Sequence, residues 1–135
     1  MVSLNVALET ARGRILVVDD DPFIGELLAV LFEQEGFEVQ IAQDGCAGLL
    51  AFSEGHFNLI VTDFSMPRMT GLELAAAVRK TDPLVPIILV TGEANAIDAK
   101  AARQVGINRV IPKPFKLDEL RKCVGLVRAK WPPAA

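Results

Sequence analysis

The chain has 135 residues, 51% of them hydrophobic and 23% charged, with a net charge of −3 and a pI near 5.1. That length and composition fit one domain with a real core. They exclude a global basic field for nucleic acid and a membrane span, which needs roughly eighteen consecutive apolar residues.

Residues 1–13 lack a basic start followed by an apolar core, so they do not form a signal peptide and are expected to be a flexible lead, a linker or added sequence. The domain is expected over residues 14–130, and residues 131–135, which include Trp131-Pro132-Pro133, are expected to be a tail. Arg14–Val18 is a continuous β-branched run that suits a central parallel strand. It ends in Asp19-Asp20-Asp21. Asp21 then caps a helix with Pro22 at its first position, Ile24, Leu27, Leu28 and Leu31 on its inner stripe, and Gly36 as its left-handed stop.

Phe37–Ile41 reads as a second strand, and Asp44-Gly45 opens a second helix with Ala47, Leu50 and Ala51 inward and Gly55 as stop. Asn58–Thr62 is a third strand ending at Asp63. Gly71–Lys80 is a third helix with Leu74, Ala75 and Val78 inward, broken by Asp82-Pro83. Pro86 admits a fourth strand, Ile87–Thr91, since proline is tolerated at a strand's first residue. Glu93–Val105 reads as one Ala-rich helix with Ile97, Ala101 and Val105 inward and Gly106 as its end. Ile107–Ile111 is a fifth strand closed by Lys113-Pro114, and Leu117, Leu120, Val124 and Val127 mark a fifth helix.

Five strands alternating with five helices imply a parallel sheet covered on both faces. Right-handed crossovers favour a flavodoxin-like, three-layer (βα)5 α/β sandwich with strand order 2-1-3-4-5. That order puts Asp19, Asp20 and Asp63 in one crevice, with Thr91 and Lys113 at the same sheet edge, where ligands bind in open α/β sheets. Three carboxylates close together need a compensating cation. Oxygen-only ligands suit Mg²⁺, with Mn²⁺ as a substitute; no EF-hand spacing is present. A carboxylate can attack phosphorus and hold an aspartyl-phosphate. Lys113 then supplies an ammonium and Thr91 a hydroxyl to the phosphoryl oxygens. Singly these residues have ordinary readings: Asp21 as a helix cap, Thr91 as a strand end, Lys113 as a solvated end. Their joint placement at four strand ends does not. Cys46 and Cys123 match no metal or redox spacing and read as reduced, core-facing helix residues, and His56 as a surface turn residue.

The stretches Ile15–Pro22, Leu59–Gly71, Ile88–Ala94 and Lys113-Pro114-Phe115 run in order along the chain. Together they resemble the receiver domain of bacterial two-component response regulators, over about residues 14–130. The resemblance implies that Asp63 is the phosphoacceptor. It also implies Asp20 as a direct Mg²⁺ ligand, Asp19 as one acting largely through metal-bound water, and the Ser65 backbone carbonyl as the third protein ligand. Thr91 and Lys113 match the phosphate-binding pair, with a cis bond between Lys113 and Pro114. Further implied are a histidine kinase or phosphotransfer protein as donor, an output partner the sequence does not name, and movement of the helix 4–strand 5–helix 5 face. The implied setting is a cytoplasmic signalling domain rather than an enzyme, monomeric or dimerising on phosphorylation, touching neither nucleic acid nor membrane itself. One departure is Val110, where the family often carries an aromatic or His. With one stiff χ1 and little reach, Val110 cannot swing as an aromatic does, so the switch is expected in Thr91-Gly92-Glu93 and the fourth helix.

Three alternatives remain beside this reading. A phosphorelay receiver excised from a hybrid histidine kinase would share every motif. A haloacid-dehalogenase-type phosphatase would need its nucleophile after the first strand, and a cap that the short elements leave no room for. A flavin or nucleotide binder would need a glycine-rich loop where Asp19-Asp20-Asp21 repels phosphate.

Overall fold

The computed structural model describes residues 11–130, with side chains through Val127. β1 (Arg14–Val18), β3 (Leu59–Thr62) and β4 (Ile87–Thr91) are apolar runs buried almost throughout. Such strands are stable only where both sheet faces are covered. They form the centre of a five-stranded parallel sheet, with β2 (Glu38–Ala42) and β5 (Arg109–Pro112) at its edges, in the order β2-β1-β3-β4-β5. Helices α1 (Pro22–Gln34) and α5 (Leu117–Lys130) cover one face, where Leu28, Phe32, Leu120 and Val124 meet Ile15, Val17 and Val61. The other face is covered by α2 (Gly45–Glu54), α3 (Gly71–Arg79) and α4 (Ala99–Gln104), where Leu74, Val78 and Ala102 meet Leu16, Ile60 and Leu89. The fold is the expected flavodoxin-like sandwich. Val18 pairs with Thr62, so the residues after β1 and β3 emerge side by side.

The punctuation follows local chemistry. Asp21 caps α1 by accepting the Phe23 N–H at 2.9 Å, with Pro22 at the first helical position. Gly36 ends the turn after α1 at φ 95°, a left-handed geometry that glycine adopts without steric cost. Ahead of β1, Arg12 donates its N–H to the Gly36 carbonyl and lays its guanidinium over the Phe37 ring, 5.0 Å from the centroid.

Several expectations are corrected. The fourth helix is not continuous over Glu93–Val105. A 3-10 turn, Ala94–Ala96, is followed by extended backbone at Ile97 and Asp98, and α4 begins only at Ala99. Asp98 causes the break: its side chain accepts the Lys100 N–H at 2.9 Å and so starts a new helix. The inner residue of α4 is Ala102, while Ile97, Ala101 and Val105 are half-buried.

In α2 the buried residues are Gly45 and Gly48; Ala51 packs against the core as expected, but Ala47 and Leu50 do not face inward. Leu50 is 60% exposed, Ala47 is exposed and Ala51 half-buried. A Cβ on Gly48 would lie 2.8 Å from Val18 Cγ2, so the helix backbone lies against β1 and Leu50 turns outward while Leu49 and Phe52 pack against the core. Cys46 is carried outward with Leu50. Both cysteines are free thiols, but only Cys123 is buried.

In α1, Gly25 sits against Ile41, and Gly25, Leu28, Ala29 and Phe32 face inward while Leu27 points out. β2 and β5 lie one to two residues later than Phe37–Ile41 and Ile107–Ile111. β3 begins at Leu59, one residue after the expected Asn58.

Candidate functional site

The register of β1 against β3 brings the acids together. Asp63 donates its N–H to the Val18 carbonyl at 2.8 Å, and Asp19 donates its own to the Ala42 carbonyl at 3.1 Å. Asp19 and Asp63 are buried and Asp20 is exposed. One carboxylate oxygen from each of Asp19, Asp20 and Asp63 can be chosen so that all lie within 4.8 Å of one another. A donor set made only of carboxylate oxygens fits a hard divalent cation, and these residues could hold one.

Lys113 extends into the crevice from the end of β5. Its Nζ is 3.0 Å from Asp19 Oδ2 and 3.5 Å from Asp63 Oδ2. Its backbone N–H donates to the Thr91 carbonyl at 2.9 Å, which ties β5 to β4 at the site, and the Lys113–Pro114 bond is cis. Burial would lower the Lys113 pKa, but the hydrogen bond and charge of Asp19, together with the charge of Asp63, outweigh it and hold the ammonium above its ordinary value.

The Asp63 carboxyl is displaced upward, first by burial. The Lys113 charge opposes that rise, the Asp19 charge adds to it, and the Phe64 N–H and Asp20 make smaller contributions. Asp63 Oδ1 accepts the Phe64 N–H at 2.8 Å, while Oδ2 faces Lys113.

Thr91 is buried, and its Oγ1 accepts the Glu93 N–H at 3.0 Å, so the hydroxyl caps the turn before Ala94. Ser65 is exposed in the loop after Asp63. Val110 is half-buried on the α3/α4 face of β5, paired with Leu89. Asp21 caps α1 and donates its own N–H to Asp19 Oδ1 at 2.9 Å.

Three features of the site go beyond the sequence motifs. Gly71 is there because a Cβ would collide with the Asp63 carbonyl and Leu89. Its N–H donates to the Phe64 carbonyl at 2.9 Å, so α3 begins against the Asp63 loop. Thr70 and Glu73 form a reciprocal capping box at that start, a signal readable as Thr-x-x-Glu. Arg68 has φ 69° and an exposed side chain 3.9 Å from Asp44, and no sequence signal marks a left-handed arginine.

Residues 15–125 match the family model of the response regulator receiver domain. The DNA-binding response regulator MtrA of Mycolicibacterium smegmatis is 36% identical over 123 residues, 91% of this chain and 52% of MtrA. The chain spans about half the length of the curated relatives it matches. Among solved structures, the chemotaxis response regulator CheY4 of Vibrio cholerae superimposes with a TM-score of 0.79 at 30% identity, over 87% of this chain and 99% of CheY4. The response regulator TrrA of Thermotoga maritima, solved in complex with Mg²⁺-BeF, gives 0.77 at 35% identity, over 84% and 97%. Among the described residues no helix is long and apolar enough to cross a membrane. A family match over most of the chain, carried on the same strand order, establishes the membership: this chain belongs to the response regulator receiver domain family.

Proposed function

We propose that this receiver domain accepts a phosphoryl group on Asp63 from a histidine kinase or phosphotransfer protein. The observation that carries the reading is Lys113 Nζ lying within reach of both Asp19 and Asp63 carboxylates. An ammonium fixed beside a carboxylate nucleophile is placed to neutralise the equatorial oxygens of an incoming phosphoryl group. Asp63 Oδ2 attacks phosphorus and the bond from phosphorus to the donor imidazole nitrogen breaks. The electron pair returns to that nitrogen, which takes up a proton. The Phe64 N–H holds Oδ1 and so orients the nucleophile. Asp63 is consumed and regenerated slowly by hydrolysis, so the domain is a signalling acceptor rather than an enzyme acting on a metabolite. Incubating the protein with phosphorylated histidine kinases and a divalent metal should move label onto it; a chain that no phosphohistidine donor labels would overturn the reading.

Asp19, Asp20, Asp63 and the Ser65 carbonyl are the residues that would hold Mg²⁺, or Mn²⁺. When bound, such an ion supplies charge neutralisation to the phosphoryl oxygens. Asp19 already accepts from Lys113 and from the Asp21 N–H at 2.9 Å, whereas Asp20 is exposed. Asp20→Asn is therefore expected to weaken Mg²⁺ binding more than Asp19→Asn does. Calorimetric titration of the two variants checks this, and an Asp20→Asn protein that binds as tightly as the parent contradicts it.

The read-out is carried by residues 91–105. Moving the Thr91 hydroxyl toward a phosphoryl group takes it from the Glu93 N–H that it now caps, and in the 3-10 turn and short α4 that follow only Ala102 is buried. Few buried contacts mean a low cost of rearrangement, and a ligand shifts such an equilibrium only through a contact that differs between states. Beryllofluoride should shift amide resonances of residues 91–105 strongly and that of Val110 little, and Thr91→Val should remove most of the response. Shifts centred on β5 with a quiet α4 would contradict this. The same proposal gives the domain a cytoplasmic setting, as a monomer or a phosphorylation-dependent dimer, and leaves its output partner unassigned.

A further inference from the structure

The outer face of α2 plays no part in the site. Cys46, Ala47, Leu50, Ser53 and Glu54 are exposed on it, at the i, i+4 and i+7 spacings of a single helical face. No charge occurs from Gly45 to Ser53, and Leu50 is 60% exposed. Beside Leu50 runs a groove lined by Cys46, Leu49, Ser53 and Met69. Its wall is fixed, because Met69 packs so closely on Gly45 that a Cβ there would lie 2.7 Å from Met69 Cβ. Opposite charges frame the face. Arg68, 76% exposed, stands at the amino end of α2 beside Asp44, and Glu54 stands exposed at the carboxyl end.

We propose that this face docks a second copy of the chain, with the two α2 helices antiparallel across a two-fold axis at Leu50. In such an isologous contact every pairing occurs twice, so Arg68 of each copy meets Glu54 of the other. A parallel pairing would set arginine against arginine and glutamate against glutamate. The antiparallel arrangement also aligns the helix dipoles favourably. Each Leu50 enters the groove of the second copy, and Ala47 and Ser53 are small enough to let the helices approach. One helix face buries less than the roughly 1,200 Å² of a standard interface, so the dimer is weak and reversible.

Sedimentation equilibrium of the whole protein from micromolar to millimolar concentration tests this. The expected result is a monomer–dimer equilibrium that salt weakens. Leu50→Glu should raise the dissociation constant by at least about tenfold, as the loss of a central apolar contact does. Its circular dichroism and phosphoryl acceptance should be unchanged, because Leu50 is a surface residue. Arg68→Glu and Glu54→Arg should each weaken the dimer, and the double variant should restore it. Leu50→Cys in a Cys46→Ser background should cross-link on oxidation only where the dimer is populated. A protein monomeric at every concentration, a dimer indifferent to Leu50→Glu, or a charge swap that restores nothing would each overturn the proposal and leave the reading of the Asp63 site untouched.

Discussion

Asp63→Asn is expected to lose phosphoryl acceptance altogether while the fold becomes more stable. The amide keeps the shape of the side chain but is not a nucleophile toward phosphorus, and the neighbouring Asp19 carboxylate is already engaged by Lys113 and by the Asp21 N–H. Labelling by acetyl phosphate should fall by at least about a thousandfold, the scale on which an enzyme loses its covalent nucleophile. The stability gain follows from linkage. Burial and the Asp19 charge raise the Asp63 pKa above 3.8, so its carboxylate is disfavoured in the folded state. The penalty is absent below pH 3.8, where the unfolded chain is also protonated. It develops as pH rises from 3.8 toward the raised folded value and is complete above that value. Melting in the absence of divalent metal should therefore show the variant a few degrees more stable than the parent at neutral pH, with the difference vanishing in acid. Undiminished labelling, or a variant less stable at neutral pH, would contradict the description of the site.

Lys113→Met should retain a reactive carboxylate but lose the group that neutralises the phosphoryl oxygens. Removing one preorganised donor from such a site costs about 10²–10³ in rate, and the acceptance rate should fall by that order, with the nucleophile still present. The fold should weaken as well, since Asp19 loses its only described cationic partner. The sign is the reverse of that for Asp63. The Lys113 pKa is raised, so its ammonium stabilises the fold at all pH values below 10.5, and that contribution is lost only as pH rises through the raised folded value. Lys113→Arg, longer and planar, should not restore the rate, because the compact ammonium fits between two carboxylate oxygens 3.0 and 3.5 Å away. Stopped-flow measurement of phosphorylation, with chemical denaturation in parallel, separates the two effects.

The sheet and the acid cluster were legible in the sequence for one physical reason. Central parallel strands are buried on both faces, so Ile15–Val18, Leu59–Val61 and Ile87–Val90 stand out as unbroken apolar runs, and their ends locate Asp19, Asp63 and Thr91 at the carboxyl edge of the sheet. The helices were less legible because close approach is made by residues without a side chain. Periodicity counts Leu27 and Leu50 as core, yet Gly25 and Gly48 lie against the sheet and turn both leucines toward solvent. Composition hid the break in the fourth helix. Its alanines favour a helix throughout, and Asp98 reads as an ordinary helical residue until its side chain is seen capping a second start. The sequence of the loop after Asp63 displays its chemistry but not its geometry, so the fit of Gly71 beneath the Asp63 carbonyl and the left-handed Arg68 are visible only in the backbone.

The central claim is that the phosphoryl group resides on Asp63 as an acyl phosphate, and locating it covalently is the most direct test. The wild-type protein is phosphorylated by a histidine kinase with Mg²⁺, trapped by borohydride reduction and digested, and the reduced residue is found by mass spectrometry. The account predicts a single modified site, Asp63, lost when the phosphoprotein is first treated with hydroxylamine. A modification on Asp19, Asp20 or a hydroxyl side chain, with Asp63 intact, would contradict it.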